Sequence, residues 1–254
     1  MIENPNISDQ RTRWIFLSPH LDDAVYSCGG LISYLSEKGI DVEIWTVFSE
    51  QADDERVIPP YALTLHTRWQ AGDHPYIARK AEDTLACRLV GARQVHFGYL
   101  DCIYRRINGT DEVVIASDEE LFGSIKPGEL TLVDLIAENL ISRLEEPSIW
   151  VCPLGMGGHV DHRIVRLAAQ KARKLLLFYT DLPYGFSVPP QAISGMIRLS
   201  FDIPEINLTV WKEAVLQYTS QISSFWKDEG EIVLQYSEYI KQYNGLPLWL
   251  PIPE

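Results

Sequence analysis

Short apolar runs alternate with stretches of helical spacing along most of this chain. Trp14-Ile15-Phe16-Leu17 is a continuous apolar run closed by Ser18-Pro19, the pattern of a buried strand and its exit. From Asp23 the period changes, and Val25, Cys28, Leu31, Ile32 and Leu35 recur at helical spacing until Gly39 stops them. The β-branched and aromatic run from Val42 to Phe48 predicts a second buried strand. Strand, helix and strand within about forty residues make a βαβ unit, whose parallel strands require the crossover helix.

The rhythm continues with a helix near 75–90, a strand near 94–99, a helix near 131–145, a strand near 149–153, a helix near 160–174 and a strand near 175–179. This alternation predicts an α/β fold: a single Rossmann-like domain over 1–254, with a mostly parallel central sheet and helices on both faces. Ligands of such sheets bind beyond the carboxyl ends of the strands. Three stretches, 49–74, 101–130 and 180–206, interrupt the pattern; they read as long active-site loops forming a rim, or as small elements without a clear signature. From about 207 a helix runs through Val215 and Tyr218, and an aromatic-rich segment from Leu234 to Trp249 is expected to pack back on the body. No internal repeat or Ser/Gly/Pro-rich linker divides the chain.

Bulk properties narrow the function classes. A 46% hydrophobic and 22% charged composition is that of an ordinary globular protein. The formal charge of -13 argues against nucleic-acid or anionic-membrane partners, which need clustered Lys and Arg. Met1 to Gln10 lacks the basic start and apolar core of a secretory signal, and no apolar run approaches the ~20 residues of a membrane span. Cys28, Cys87, Cys102 and Cys152 are scattered with no C-x-x-C pair, so a reducing, cytoplasmic location is expected. The oligomeric state is open, a homo-oligomer included.

Two clusters carry chemistry. His20-Leu21-Asp22-Asp23 follows the first apolar run, and His159-Val160-Asp161-His162 follows Ile149-Trp150-Val151-Cys152. A catalytic zinc typically takes three His, Asp or Glu ligands and keeps one position for water. His20 and Asp23, three apart across a strand exit, can turn toward one point; His162 can supply the third ligand, and Asp22 then stands beside the metal as a base. Taken alone, Asp22 and Asp23 read as helix N-cap carboxylates. The pairing of the two clusters, with Gly155, Gly157 and Gly158 admitting close backbone approach, points instead to a metal site.

Ser18-Pro19-His20-Leu21-Asp22-Asp23 with Gly158-His159-Val160-Asp161-His162 resembles the zinc-dependent N-deacetylases of the PIG-L or LmbE-like family. That family acts on N-acetylglucosaminyl-phosphatidylinositol, on mycothiol and bacillithiol precursors and on some glycopeptide antibiotics. Supporting matches are Arg79-Lys80-Ala81-Glu82, Gly98-Tyr99-Leu100-Asp101, Asp181-Leu182-Pro183-Tyr184, and Lys212 through Tyr218-Thr219-Ser220-Gln221. The resemblance implies His20, Asp23 and His162 as zinc ligands, Asp22 as general base, His159 as proton donor or oxyanion partner, and Asp161 orienting an imidazole. Arg79 and Asp101 match positions that hold a substrate; Arg79 reads equally well as a helix-surface partner of Glu82 or Asp83, and Asp101 as a cap of the following loop. Leu21 and Ala24 stand where the family usually has Pro and Glu. Gly157 stands where some relatives have a Tyr that helps polarise the amide, leaving zinc, His159 or a rim group such as Tyr104 for that task.

The implied activity is removal of an N-acetyl group from an amino-sugar conjugate or glycosylated small molecule, with zinc as cofactor and iron(II) as an alternative occupant. Loop residues Tyr61, Trp69, Tyr76, Tyr104, Arg105 and Arg106 could stack on a sugar or hold an acidic group, or simply pack. Two alternatives stay open: an amidase cleaving a larger acyl group, and a non-catalytic metal- or nucleotide-binding α/β domain. The carboxylates on the first helix would repel a nucleotide's phosphate.

Overall fold

A computed structural model describes residues 10–51, 57–70, 74–107, 110–173, 175–189 and 193–252. The first apolar run is strand β1 (Arg13–Ser18), followed by helix α1 (Asp23–Glu37) and strand β2 (Val42–Glu50). Trp14, Ile15, Phe16 and Leu17 are fully buried, as a central parallel strand covered on both faces requires. Helix α1 ends where Gly39 takes φ +76 and the Ile40 amide turns back to the Leu35 carbonyl at 3.1 Å. Only glycine adopts that backbone without cost.

Helices α2 (Pro60–Trp69) and α3 (Pro75–Val90) precede strand β3 (Arg93–Leu100), and the short helix α4 (Asp118–Leu121) and helix α5 (Leu130–Ser142) lead to strand β4 (Ser148–Pro153). Helix α6 (Val160–Ala172) and strand β5 (Leu177–Tyr179) complete the parallel part. The chain then adds strand β6 (Met196–Phe201), helices α7 (Glu205–Val215), α8 (Thr219–Phe225) and α9 (Glu229–Tyr243), and strand β7 (Leu246–Pro251). The sheet order is β3-β2-β1-β4-β5-β7-β6, parallel from β3 through β5, with β7 antiparallel to both of its neighbours. Helices α1, α3 and α7 pack together in one layer and α5 with α6 in another. Strand order reverses between β1 and β4, and the crevice at such a switch point is where open α/β sheets hold ligands. Both histidine clusters leave the sheet there.

The expected α/β fold is therefore present, and the differences lie in its interruptions. The stretch 49–74 holds α2, the stretch 180–206 holds β6, and the aromatic tail is α9 followed by β7. Prolines at 247 and 251 argue against a strand, yet both lie in register with β6, opposite Ser200 and Met196, and outside the two-residue pairing to β5 at Leu248 and Trp249. The tail does pack on the body: Tyr236 donates from its hydroxyl to the Tyr26 carbonyl at 2.9 Å. No helix among the described residues is long and apolar enough to cross a membrane.

Helix α7 docks through Trp211, whose indole N–H reaches the Val25 carbonyl at 2.6 Å. Its ring fills a groove left by Gly29 and Gly30; a Cβ on Gly29 would lie 2.3 Å from Trp211 Cδ1. Gly29→Ala is expected to destabilise the fold by roughly 1–3 kcal/mol through overpacking, read as a lower denaturant midpoint. An unchanged midpoint would mean that the indole is not seated on this helix.

Candidate active site

At the exit of β1 the backbone is turned by Ser18, whose hydroxyl donates to the His20 carbonyl at 2.5 Å and accepts from the Ala24 amide at 3.0 Å. This brings His20, Asp22 and Asp23 to the crevice. Asp22 makes no capping hydrogen bond from its side chain, so the helix-cap reading does not account for it. Asp23 accepts from the His20 amide at 2.7 Å. At the exit of β4, Gly155, Gly157 and Gly158 all have φ near +80 (77, 77 and 82), and the chain enters α6 with His159 and His162 facing the same crevice and Asp161 fully buried beside them.

The two motifs meet. Asp23 lies between the two imidazoles, with one oxygen 3.2 Å from His20 Nδ1 and the other 3.3 Å from His162 Nε2. The His20 and His162 ring centroids are 5.4 Å apart, and His159 sits 4.8 Å from His20 and 5.0 Å from His162. Ring nitrogens of all three histidines come within 4.8 Å of one another, close enough to share one cation. The outer nitrogens are held from behind. Asp161 approaches His20 Nε2 at 3.2 Å, and Asp181 approaches His162 Nδ1 at 2.7 Å, an arrangement that fixes ring orientation and leaves the inner nitrogens toward the centre.

Electrostatics follow from burial and pairing. Burial opposes charge on His20, but Asp101 and the hydrogen bonds of Asp161 and Asp23 outweigh it and raise its pKa; His162 is raised likewise, by Asp23 and Asp181. Asp23 is held well below the carboxylate range: burial opposes this, and the charges of His162 and His20 prevail. Burial lifts Asp22 to about 6, against the pull of Arg79. His159 is pushed down to about 3 by burial and by the neighbouring His20 and His162. Its Nδ1 accepts from the Asp161 amide at 3.2 Å, so in the neutral ring the proton sits on Nε2.

Arg79 is buried and stacks on Trp69 and Tyr76 at 4.8 and 5.0 Å, with Nη2 3.6 Å from Asp22. It is therefore no surface partner of Glu82, whose carboxylate instead binds α8. Asp101 does two things: it accepts from the Ile103 amide at 3.2 Å, capping the loop, and lies 3.7 Å from His20 Nε2. Tyr104 is placed off the cleft, buried against Tyr76, its hydroxyl 2.5 Å from His66 Nε2. Arg105 is not a rim cation; its guanidinium contacts Asp161 at 2.5 Å and Glu129 at 2.6 Å. Arg106 is spent on the carbonyls of Asp111 and Val57.

Asp181 and the cleft residues of α8 had no role assigned from sequence. Asp181 stands two residues past β5 at the sheet's carboxyl edge, where an acidic residue is itself a signal. The cleft encloses about 320 Å³ and is lined by the histidines, Asp22, Asp23, Arg79, Asp101, and by Trp69, Phe122, Tyr184 and Phe225. A larger hollow of about 860 Å³ beside Arg106 and Lys126 contains none of the histidines, so the smaller cleft is the candidate for chemistry. Tyr184 lies over Gly157, where a Cβ would come within 2.7 Å of its ring; a larger residue at 157 would displace it.

Comparison with known proteins agrees with this geometry. The chain is 32% identical over 182 residues to a 2'-N-acetylparomamine deacetylase of Streptomyces fradiae, a match covering 69% of this chain and spanning 59% of that relative's length. A 2'-N-acetylparomamine deacetylase of Niallia circulans is 28% identical over 241 residues, covering 89% of this chain and 86% of the relative. Among solved structures, the zinc inhibited form of teicoplanin deacetylase Orf2 superposes with a TM-score of 0.81 at 25% identity, covering 96% of this chain and 99% of the other. The profile of the family described as PIG-L, GlcNAc-PI de-N-acetylase, matches residues 15–173, a span that begins in β1 and ends just after α6. A chain with that profile over more than half its length and with both histidine motifs joined in one cleft belongs to the PIG-L family.

Proposed function

We propose that the protein is a metal-dependent N-deacetylase that removes an acetyl group from an amino sugar or a glycosylated small molecule. The observation that carries this reading is the Asp23 carboxylate wedged between His20 and His162, with Asp22 beside it and His159 across from it. Buried imidazoles and carboxylates packed this closely suit a divalent cation. His20, Asp23 and His162 would hold it, and zinc is the proposed ion on the chemistry of that His and Asp donor set, although the similar teicoplanin deacetylase is described in a zinc inhibited form. Bound there, such an ion would act as a Lewis acid toward the amide and lower the pKa of water.

The protein's own groups then divide the proton work. Asp22, held near 6 by burial, is deprotonated at neutral pH and takes a proton from the attacking water. His159 carries its proton on Nε2 and stays neutral, which suits a hydrogen-bond donor to the developing oxyanion better than a general acid. Asp22 therefore returns the proton to the departing amine. Arg79, stacked between aromatic rings at 3.6 Å from Asp22, keeps that carboxylate oriented. Trp69, Phe122 and Phe225 offer apolar faces to a sugar ring, and the similar proteins are named as deacetylases of 2'-N-acetylparomamine and of teicoplanin.

Acetate release from a panel of N-acetylated amino sugars, measured with zinc-loaded protein, tests the reaction; release of a larger acid instead would favour the broader amidase. Asp22→Asn is expected to keep its metal and lose about 100-fold or more in rate, as for removal of a general base. Near-normal turnover with metal bound would overturn the base assignment.

His20→Ala and His162→Ala are expected to lose metal, and His159→Ala to retain it, by elemental analysis; loss in all three would make His159 a ligand. In the metal-free protein the pKa values of His20 and His162 are raised, so binding must displace protons and the apparent affinity should rise with pH. Titration calorimetry in buffers of different ionisation enthalpy reads that release, and pH-independent binding would contradict it.

A further inference from the structure

The wall of the cleft formed by α8 carries polar atoms that no other group in the described structure satisfies. Gln221, Ser224 and Phe225 line the cleft, and their spacing puts them on one face of the helix. Glu82 of α3 fixes the helix there: its carboxylate accepts from the Thr219 hydroxyl at 2.6 Å, the Ser220 amide at 2.9 Å and the Ser220 hydroxyl at 2.7 Å.

Counting protons then orients Gln221. Ser220 has a single hydroxyl hydrogen, and the ionised Glu82 carboxylate, which can only accept, takes it. The 3.0 Å contact between Ser220 Oγ and Gln221 Nε2 must therefore be donated by the glutamine amide. This leaves the Gln221 carbonyl oxygen without a donor among the described residues, on a residue that is only 4% exposed and at the open cleft. One turn on, the Ser224 hydroxyl oxygen is buried and has no hydrogen-bond partner among them either. A buried hydroxyl without a partner is rare in folded proteins, and beside an open carbonyl oxygen on the same cleft wall it points to a ligand that completes both.

We propose that Gln221 and Ser224 are specificity-determining residues that read hydroxyl groups on the ring bearing the acylated nitrogen, with Phe225 packed on that ring's apolar face. The inference rests on the deacetylase reading for the identity of the ring. A carbonyl oxygen accepts from a hydroxyl, and a serine both donates and accepts, so the pair suits a neutral polyol. An ionised phosphate has no proton for Gln221 and would meet the carboxylates of Asp22 and Asp101 in the same cleft.

The test is titration calorimetry of the metal-loaded protein with N-acetylglucosamine and its 3-, 4- and 6-deoxy analogues, beside acetate-release kinetics, for the wild type, Gln221→Ala and Ser224→Ala. Each substitution is expected to weaken binding of the parent sugar and raise KM by roughly 3- to 10-fold, the size of one net hydrogen bond. A deoxy analogue lacking the hydroxyl that a residue reads should cost the wild type that factor and the matching variant almost nothing, since the contact is already gone. Equal losses for every analogue in wild type and variants would overturn the proposal, as would variants that bind like the wild type or a wild type that binds none of the sugars. Binding is read apart from turnover. Variant-sensitive binding without acetate release would count against the deacetylase reading alone, and acetate release with variant-insensitive binding and KM against the subsite alone.

Discussion

The Asp23 carboxylate between two imidazoles is the contact on which the rest of the site depends. Each of its oxygens faces a ring nitrogen, at 3.2 and 3.3 Å, so a single anion ties the end of β1 to the start of α6. Burying this many ionisable groups is costly unless every charge has a partner. The partners are arranged in series outward from that contact: Asp161 behind His20, Arg105 behind Asp161, and Glu129 behind Arg105. Asp181 plays the corresponding part behind His162. The inner nitrogens are left facing the cleft because the outer ones are occupied.

The same pattern sets two carboxylates apart. Asp22 and Asp23 are neighbours in sequence, yet burial lifts Asp22 to about 6 while the histidines hold Asp23 far below its usual range. Adjacent residues thereby differ in charge behaviour, Asp22 titrating near neutrality and Asp23 remaining an anion. Helix α1 produces the difference, because its first turn directs Asp23 toward the rings and Asp22 toward Arg79 and the cleft.

The parallel half of the sheet and both histidine motifs were legible in the sequence because the strands there are short, mostly apolar, β-branched or aromatic runs, the first of them ending in the marked exit Ser18-Pro19. Strand β7 was not, since its prolines speak against a ladder, and nothing local shows that they will stand outside the two residues that pair with β5. Arg105 looked like a rim cation because nothing local indicates that Glu129, far along the chain, will meet it in the interior. Arg79 was ambiguous for the opposite reason: Glu82 and Asp83 are near in sequence, but the side chain runs between Trp69 and Tyr76. Periodicity reports which face of an element is buried; it does not report which charges will share the burial.

The insertion of β7 between β5 and β6 bears on biogenesis. Strand β5 has only three residues, and Asp181 leaves its end. Until residues 246–251 emerge from the ribosome, one margin of β5 has no ladder partner, and an open sheet margin is a template for wrong pairing. The support behind His162 therefore gains its second neighbouring strand only after β7 has been made. The first βαβ unit and both histidine motifs are made before that partner strand, so the cleft is framed by a segment synthesised after the residues that line it.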